Sequence, residues 1–145
     1  MNSTPTLALL PFLDRPARYL PVVEGLLRGG FPSPADDFSM GQLDLIELLV
    51  KHPLATFFWQ VTGYSMQNAG ISDGDFLVVD KSLRPRHGDI VVAEVDGEFT
   101  VKFLYKVEGL VKLVAADTEM VEITFQDGQH VVICGVVTGC IKRFK

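Results

Sequence analysis

The stretch "DIVVAEVDGEFTVKFLY", Asp89 to Tyr105, sets two runs of β-branched and aromatic residues on either side of Asp96-Gly97. Such runs favour the pleated, half-buried conformation of a strand. A two-residue Asp-Gly link supplies the positive φ of a primed turn, so the pair reads as an antiparallel hairpin. "QDGQH", Gln126 to His130, repeats the signal, and "TFFWQVTG", "DFLVVDK" and "GLVKLVAA" are further strand-like runs. From Ala55 onward the chain is therefore expected to form a mainly antiparallel, curled sheet. "QLDLIELLVKHP" places Leu43, Ile46 and Val50 at helical spacing, widened by Leu45, Leu48 and Leu49, which predicts one short helix ending near Pro53.

Before that helix the character changes. Pro5, Pro11, Pro16, Pro21, Pro32 and Pro34 punctuate residues 1–37, and "RGGFPSPADD" joins two glycines to two prolines. This reads as an extended, flexible N-terminal arm on a β domain at 38–145. With 145 residues, 48% of them hydrophobic, the chain holds one compact domain's worth of core.

Composition removes several functions. His52, His87 and His130 never fall at a ligand spacing with Cys or Glu, so no metal or cofactor is expected. Cys134 and Cys140 sit in an apolar run, where buried reduced thiols are usual, with a disulfide left open. "TLALLPFL" is too short and too broken by proline to span a membrane and lacks the flanks of a secretory signal, so a soluble, cytoplasmic protein is expected. The net charge is −5, with Arg15, Arg18 and Arg28 outweighing Asp14 and Glu24 at the start and the deficit lying in the remainder. An acidic body does not bind nucleic acid strongly, because phosphate neutralisation dominates that affinity. The basic "IKRFK" at the C-terminus reads as a solvated end.

Ser65 follows one strand-like run and precedes a turn-rich segment. A serine there ordinarily bonds a local backbone N–H, and it becomes a nucleophile only if a base removes its proton. Lys102 is a candidate base. Alternation puts Thr100, Lys102 and Leu104 on one face of their strand and Val101, Phe103 and Tyr105 on the other. Turned to water, Lys102 is inert; turned inward, desolvation favours the neutral amine, which can take the Ser65 proton. Residues alone leave both readings open. In "SDGD", Asp73 and Asp75 read as turn formers rather than an acid/base pair, and Asp36 and Asp37 as a solvated run. Phe57, Phe58 and Trp59 read as core and dimer surface on alternating faces, and Met66 as packing beneath Ser65.

Three motifs taken together point further: "VTGYSMQNAGISDGDFLVVD" with Gly63, Ser65 and Met66, "HGDIVVAEVDGEFTVKFL" with Lys102 placed 37 positions after Ser65, and "GGFPSPADDF" upstream. In order and in combination they resemble the UmuD branch of the self-cleaving Ser/Lys peptidase family, which also includes LexA-type repressors. The resemblance covers about Gly30 to Lys145. It implies that Ser65 is a nucleophile and Lys102 its general base, with the backbone N–H groups of Tyr64 and Ser65 holding the oxyanion. It also implies that the chain cuts its own arm between Gly29 and Gly30, stimulated by RecA filaments on single-stranded DNA. The shortened homodimer would then serve a UmuC-like Y-family polymerase in SOS mutagenesis, meeting DNA through its partners.

The chain departs from that pattern at Gly29, where Cys or Ala is usual, at Tyr64, where Asp is common, and in the length of the arm. Glycine fills no specificity pocket and carries extra backbone freedom, so the cut is expected to be slower or to fall one bond later, after Gly30. The main alternative is a non-cleaving full-length regulator of the same polymerase. A cleavable repressor would need a DNA-reading pair of helices in the arm, and a signal-peptidase-like enzyme a membrane anchor.

Overall fold

A computed structural model describes residues 17–30, 39–117, 123–124 and 130–145. The chain divides into two compact units, one spanning Leu13–Lys51 and the other built on His52–Lys145.

In the first unit, β1 (Leu20–Glu24) pairs antiparallel with β2 (Ser39–Leu43), from Leu20 opposite Leu43 to Glu24 opposite Ser39. The arm is therefore not irregular throughout, as its prolines suggest. Pro21 is accommodated because a two-stranded ribbon consists only of edge strands, where a missing N–H can face away from the partner. Gly29 and Gly30 are exposed, between the two strands in sequence. The expected helix follows as α1 (Leu45–Leu49), started by Asp44, whose carboxylate accepts the N–H groups of Ile46 and Glu47. It ends four residues before Pro53, and Leu45, Ile46 and Leu48 are exposed rather than packed.

The second unit is one seven-stranded antiparallel sheet in the order β3-β4-β9-β5-β6-β7-β8. Its strands are β3 (Thr56–Gln60), β4 (Phe76–Asp80), β5 (Ile90–Val95), β6 (Glu98–Val107), β7 (Leu110–Val114), β8 (Ile123–Thr124) and β9 (Val131–Ile141). The β5–β6 hairpin turns at Asp96 (φ 48°) and Gly97 (φ 86°), the primed geometry that "DG" predicts. A second hairpin of the same kind, β6–β7, turns at Glu108 (φ 51°) and Gly109 (φ 79°). "QDGQH" lies outside the described residues apart from His130.

The curl of the sheet is made by β9. Its first half pairs with β5, from Val131 to Val136, and its second half with β4, from Val136 to Ile141. Both registers slip by one residue, leaving Cys134 and Thr138 as the extra residues of two bulges, and bulges bend a strand and raise its twist. At the crossing point Gly135 is obligatory: a Cβ there would lie 2.6 Å from Val79 Cγ1 and 3.2 Å from the Asp80 carbonyl oxygen.

Two clusters of buried residues fill the unit. Met66, Ile71, Leu77, Val79 and Val92 form one, with Phe57, Trp59, Val101 and Phe103 packed against it. Val91, Ala93, Leu104, Leu113 and Val136 form the other. Met66 thus packs beneath Ser65 as expected, while Phe58 is exposed on β3.

Candidate active site

The segment carrying Ser65 is bracketed by two left-handed glycines, Gly63 (φ 99°) and Gly70 (φ 85°). L-residues with a Cβ rarely adopt that conformation, so glycine at these positions sets where the chain leaves β3 and where the next turn closes. Between them the carbonyl oxygens of residues 64–67 are engaged, that of Gln67 by the Gly70 N–H at 3.0 Å. The Tyr64 oxygen accepts the Gln67 N–H at 3.1 Å, and the Met66 oxygen accepts the N–H groups of Ala69 and Ile71. The Ser65 oxygen accepts two more, from Ala116 and Asp117, both at 3.1 Å. The backbone around the serine is consequently fixed on its carbonyl side.

Lys102 lies in the middle of β6 and points inward, with only 8% of its surface exposed. Its Nζ sits 3.0 Å from Ser65 Oγ, 2.9 Å from Thr100 Oγ1 and 3.2 Å from the Val101 carbonyl oxygen. The water-facing alternative for this lysine is thereby excluded. Burial pushes its amine below the ordinary value of 10.5. Thr100 shares the face of Lys102 through the two-residue period of the strand, and its hydroxyl is the contact that alternation alone did not bring out.

A cleft opens beside the pair, with Trp59, Leu77, Val92 and Phe99 among its apolar walls and Thr62, Gly63 and Thr100 at its polar edge. Trp59 and Phe99 pack with ring centroids 4.8 Å apart. No His, Asp or Glu lines the cleft among the described residues, and Lys102, hydrogen-bonded to Ser65 Oγ, is placed to exchange a proton with it.

The remaining candidates fall outside the cleft. Asp73 accepts the Gly63 N–H at 2.8 Å, and Asp75 is buried and accepts the Ser72 N–H at 2.8 Å. Both are turn-building acceptors, as the "SDGD" composition predicts. Asp75 also pairs with the Lys142 ammonium, which corrects the reading of "IKRFK" as a wholly solvated end. That pair, with the Ser72 N–H, holds the Asp75 carboxyl below its ordinary value. His52 Nδ1 lies 2.5 Å from the buried Asp80 carboxylate, whose other oxygen accepts the Ser82 N–H and hydroxyl. Cys134 and Cys140 are unbridged. Cys140 is exposed rather than buried, its Sγ 3.4 Å from Asp75 Oδ2. No cluster of three or more His, Cys, Asp or Glu side chains able to hold a metal ion occurs among the described residues, and no helix among them is long and apolar enough to cross a membrane.

An antiparallel β domain that sets a serine hydroxyl against a buried lysine is the arrangement of a Ser/Lys peptidase. The Peptidase S24-like family profile matches residues 21–138, most of the chain, and the protein belongs to that family. It is 51% identical to the protein ImpA of Salmonella typhimurium over 84 residues, covering 58% of each chain. Over 78 residues it is 53% identical to the protein MucA of Escherichia coli, covering 54% of this chain and 53% of that one. Its match to the LexA repressor of Halorhodospira halophila is 36% over 134 residues, 91% of this chain and 58% of the repressor. The matched stretches thus span little more than half the length of these relatives. The resemblance drawn from the sequence motifs, to the group containing UmuD and LexA, agrees with these matches.

Proposed function

We propose that this protein is a self-cleaving accessory subunit of an error-prone translesion DNA polymerase, with residues 1–37 as the arm that is cut and 38–145 as the working domain. The observation that carries the reading is the 3.0 Å approach of Lys102 Nζ to Ser65 Oγ inside a largely desolvated site.

In the neutral amine, two N–H bonds are directed at Thr100 Oγ1 and the Val101 carbonyl oxygen, leaving the lone pair for the Ser65 hydroxyl. Ser65 Oγ attacks the carbonyl carbon of Gly29 while its proton passes to Lys102. The oxyanion that forms is held by backbone N–H groups of Tyr64 and Ser65, whose neighbouring carbonyls are already committed. The C–N bond to Gly30 then breaks, the Lys102 proton goes to the departing amine, and water hydrolyses the ester by the reverse proton path. An arm tethered to its own enzyme reaches a high effective concentration, so a weakly recognised Gly-Gly bond is a workable substrate.

The resemblance to UmuD supports the wider assignment: RecA filaments on single-stranded DNA favour the cleavage-competent state, and the shortened homodimer associates with a UmuC-like Y-family polymerase. A filament can do this only by binding that state more tightly than the other.

Intact-mass spectrometry of the purified chain tests the reading, at mildly alkaline pH and separately with RecA filaments, beside Ser65→Ala and Lys102→Ala. One fragment pair split between Gly29 and Gly30, absent from both variants, is the expected result. A chain that stays whole under every condition, while a homologous control is cut, would replace self-cleavage with the full-length regulator.

A further inference from the structure

We propose that Asp73 is a positioning residue for Ser65, acting through the backbone of Gly63; this rests on the nucleophile reading of Ser65 above. The turn at residues 72–75 lies outside the cleft and touches no reacting atom, yet four hydrogen bonds tie it to the chain that enters the nucleophile segment, one of them from the Gln60 side-chain amide to the Gly74 carbonyl oxygen at 3.2 Å. The Val61 N–H donates to the Asp75 carbonyl oxygen at 2.8 Å, and the Gly74 N–H to the Val61 carbonyl oxygen at 2.8 Å. Asp73 Oδ1 accepts the Gly63 N–H, also at 2.8 Å.

Gly63 is where the direction of the chain is decided. Its φ of 99° is open to glycine at little cost, but glycine also has the widest choice of other conformations. A residue free to rotate, two positions before a nucleophile, needs an external restraint, and the Asp73 carboxylate supplies it by fixing the Gly63 N–H. The turn that bears Asp73 is in turn anchored through Asp75, whose buried carboxylate holds the Ser72 N–H and the Lys142 ammonium. The restraint needs an oxygen acceptor at this position and no exchangeable proton. That separates it from acid/base work by the Asp73 and Asp75 pair.

The test compares full-length wild type, Asp73→Ala and Asp73→Asn, each checked for folding by circular dichroism. Asparagine keeps the acceptor oxygen and loses the charge. The first readout is the rate at which a fluorophosphonate labels Ser65, followed by intact mass, which needs a positioned nucleophile but not the arm. The second is the pH profile of self-cleavage. Asp73→Ala is expected to slow both labelling and cleavage about tenfold or more, Asp73→Asn to stay within about threefold of wild type, and the pH midpoint of cleavage to be the same in all three. Alanine within about twofold of wild type would overturn the proposal. So would asparagine as slow as alanine, or a midpoint that moves with Asp73. If wild type labels but does not cut, self-cleavage fails while labelling still decides the positioning role. A wild type that does not label overturns both.

Discussion

Lys102 has a lower affinity for its proton in the folded chain than in the unfolded one, because burial penalises the ammonium. Two consequences share that cause. Self-cleavage should accelerate as pH rises through the lowered pKa and then level off, whereas Lys102→Arg, whose guanidinium keeps its proton, should stay uncut across the range. Between the lowered pKa and 10.5 the unfolded chain binds more protons than the folded one, so stability rises with pH over that interval. Urea unfolding of Ser65→Ala and of Ser65→Ala/Lys102→Met should show it: the stability of the first, measured relative to the second, increases from neutral to alkaline pH. A difference that does not change with pH would remove the general-base argument. At this scale the sequence was legible in part. Strand alternation correctly placed Thr100 beside Lys102, but it says which residues share a face and not which face is buried. The choice between a solvated and a catalytic lysine came from the order of motifs instead. The bond from Asp73 to Gly63 joins positions ten apart through a turn, and no periodicity signals it.

Among the elements, the hairpins were the most legible, since "DG" at Asp96-Gly97 carries its own conformational requirement. The Glu108-Gly109 turn uses the same left-handed pair with a less distinctive first residue. β1 was hidden because proline ordinarily argues against a strand, an argument that fails on a two-stranded ribbon. The partition of β9 between two partners was not legible at all: its sequence reads as one apolar run, and the bulges at Cys134 and Thr138 answer to the neighbours' registers. Gly135 is where those constraints meet. Gly135→Ala would press a methyl group into the Val79 side chain and the Asp80 carbonyl, and should destabilise the domain by about 1–3 kcal/mol. Chemical denaturation measures this directly, and a loss under about 0.5 kcal/mol would mean that β4 and β9 can separate at little cost.

For the molecule as a whole, the net charge of −5 limits what it can hold unaided. Uncleavable Ser65→Ala chain should give no change in the anisotropy of a labelled single-stranded oligonucleotide near 0.15 M salt at concentrations up to about 0.1 mM, the weak end of non-specific binding. A saturable, salt-sensitive signal at micromolar protein would show that the acidic body is not the controlling surface.

β9 also has a place in time. β3 and β4, which flank the Ser65 segment, and β5 and β6, the second of which carries Lys102, share no strand pairing among the described residues except through β9. β9 also follows every other described strand of its sheet in sequence. A growing chain therefore exposes Ser65 and Lys102 before the strand that joins the two halves of the sheet has been made. Because long-range pairing of this kind is slow to form, Ser65 and Lys102 would be brought together, on the self-cleaving proposal, only once β9 has paired with both β4 and β5.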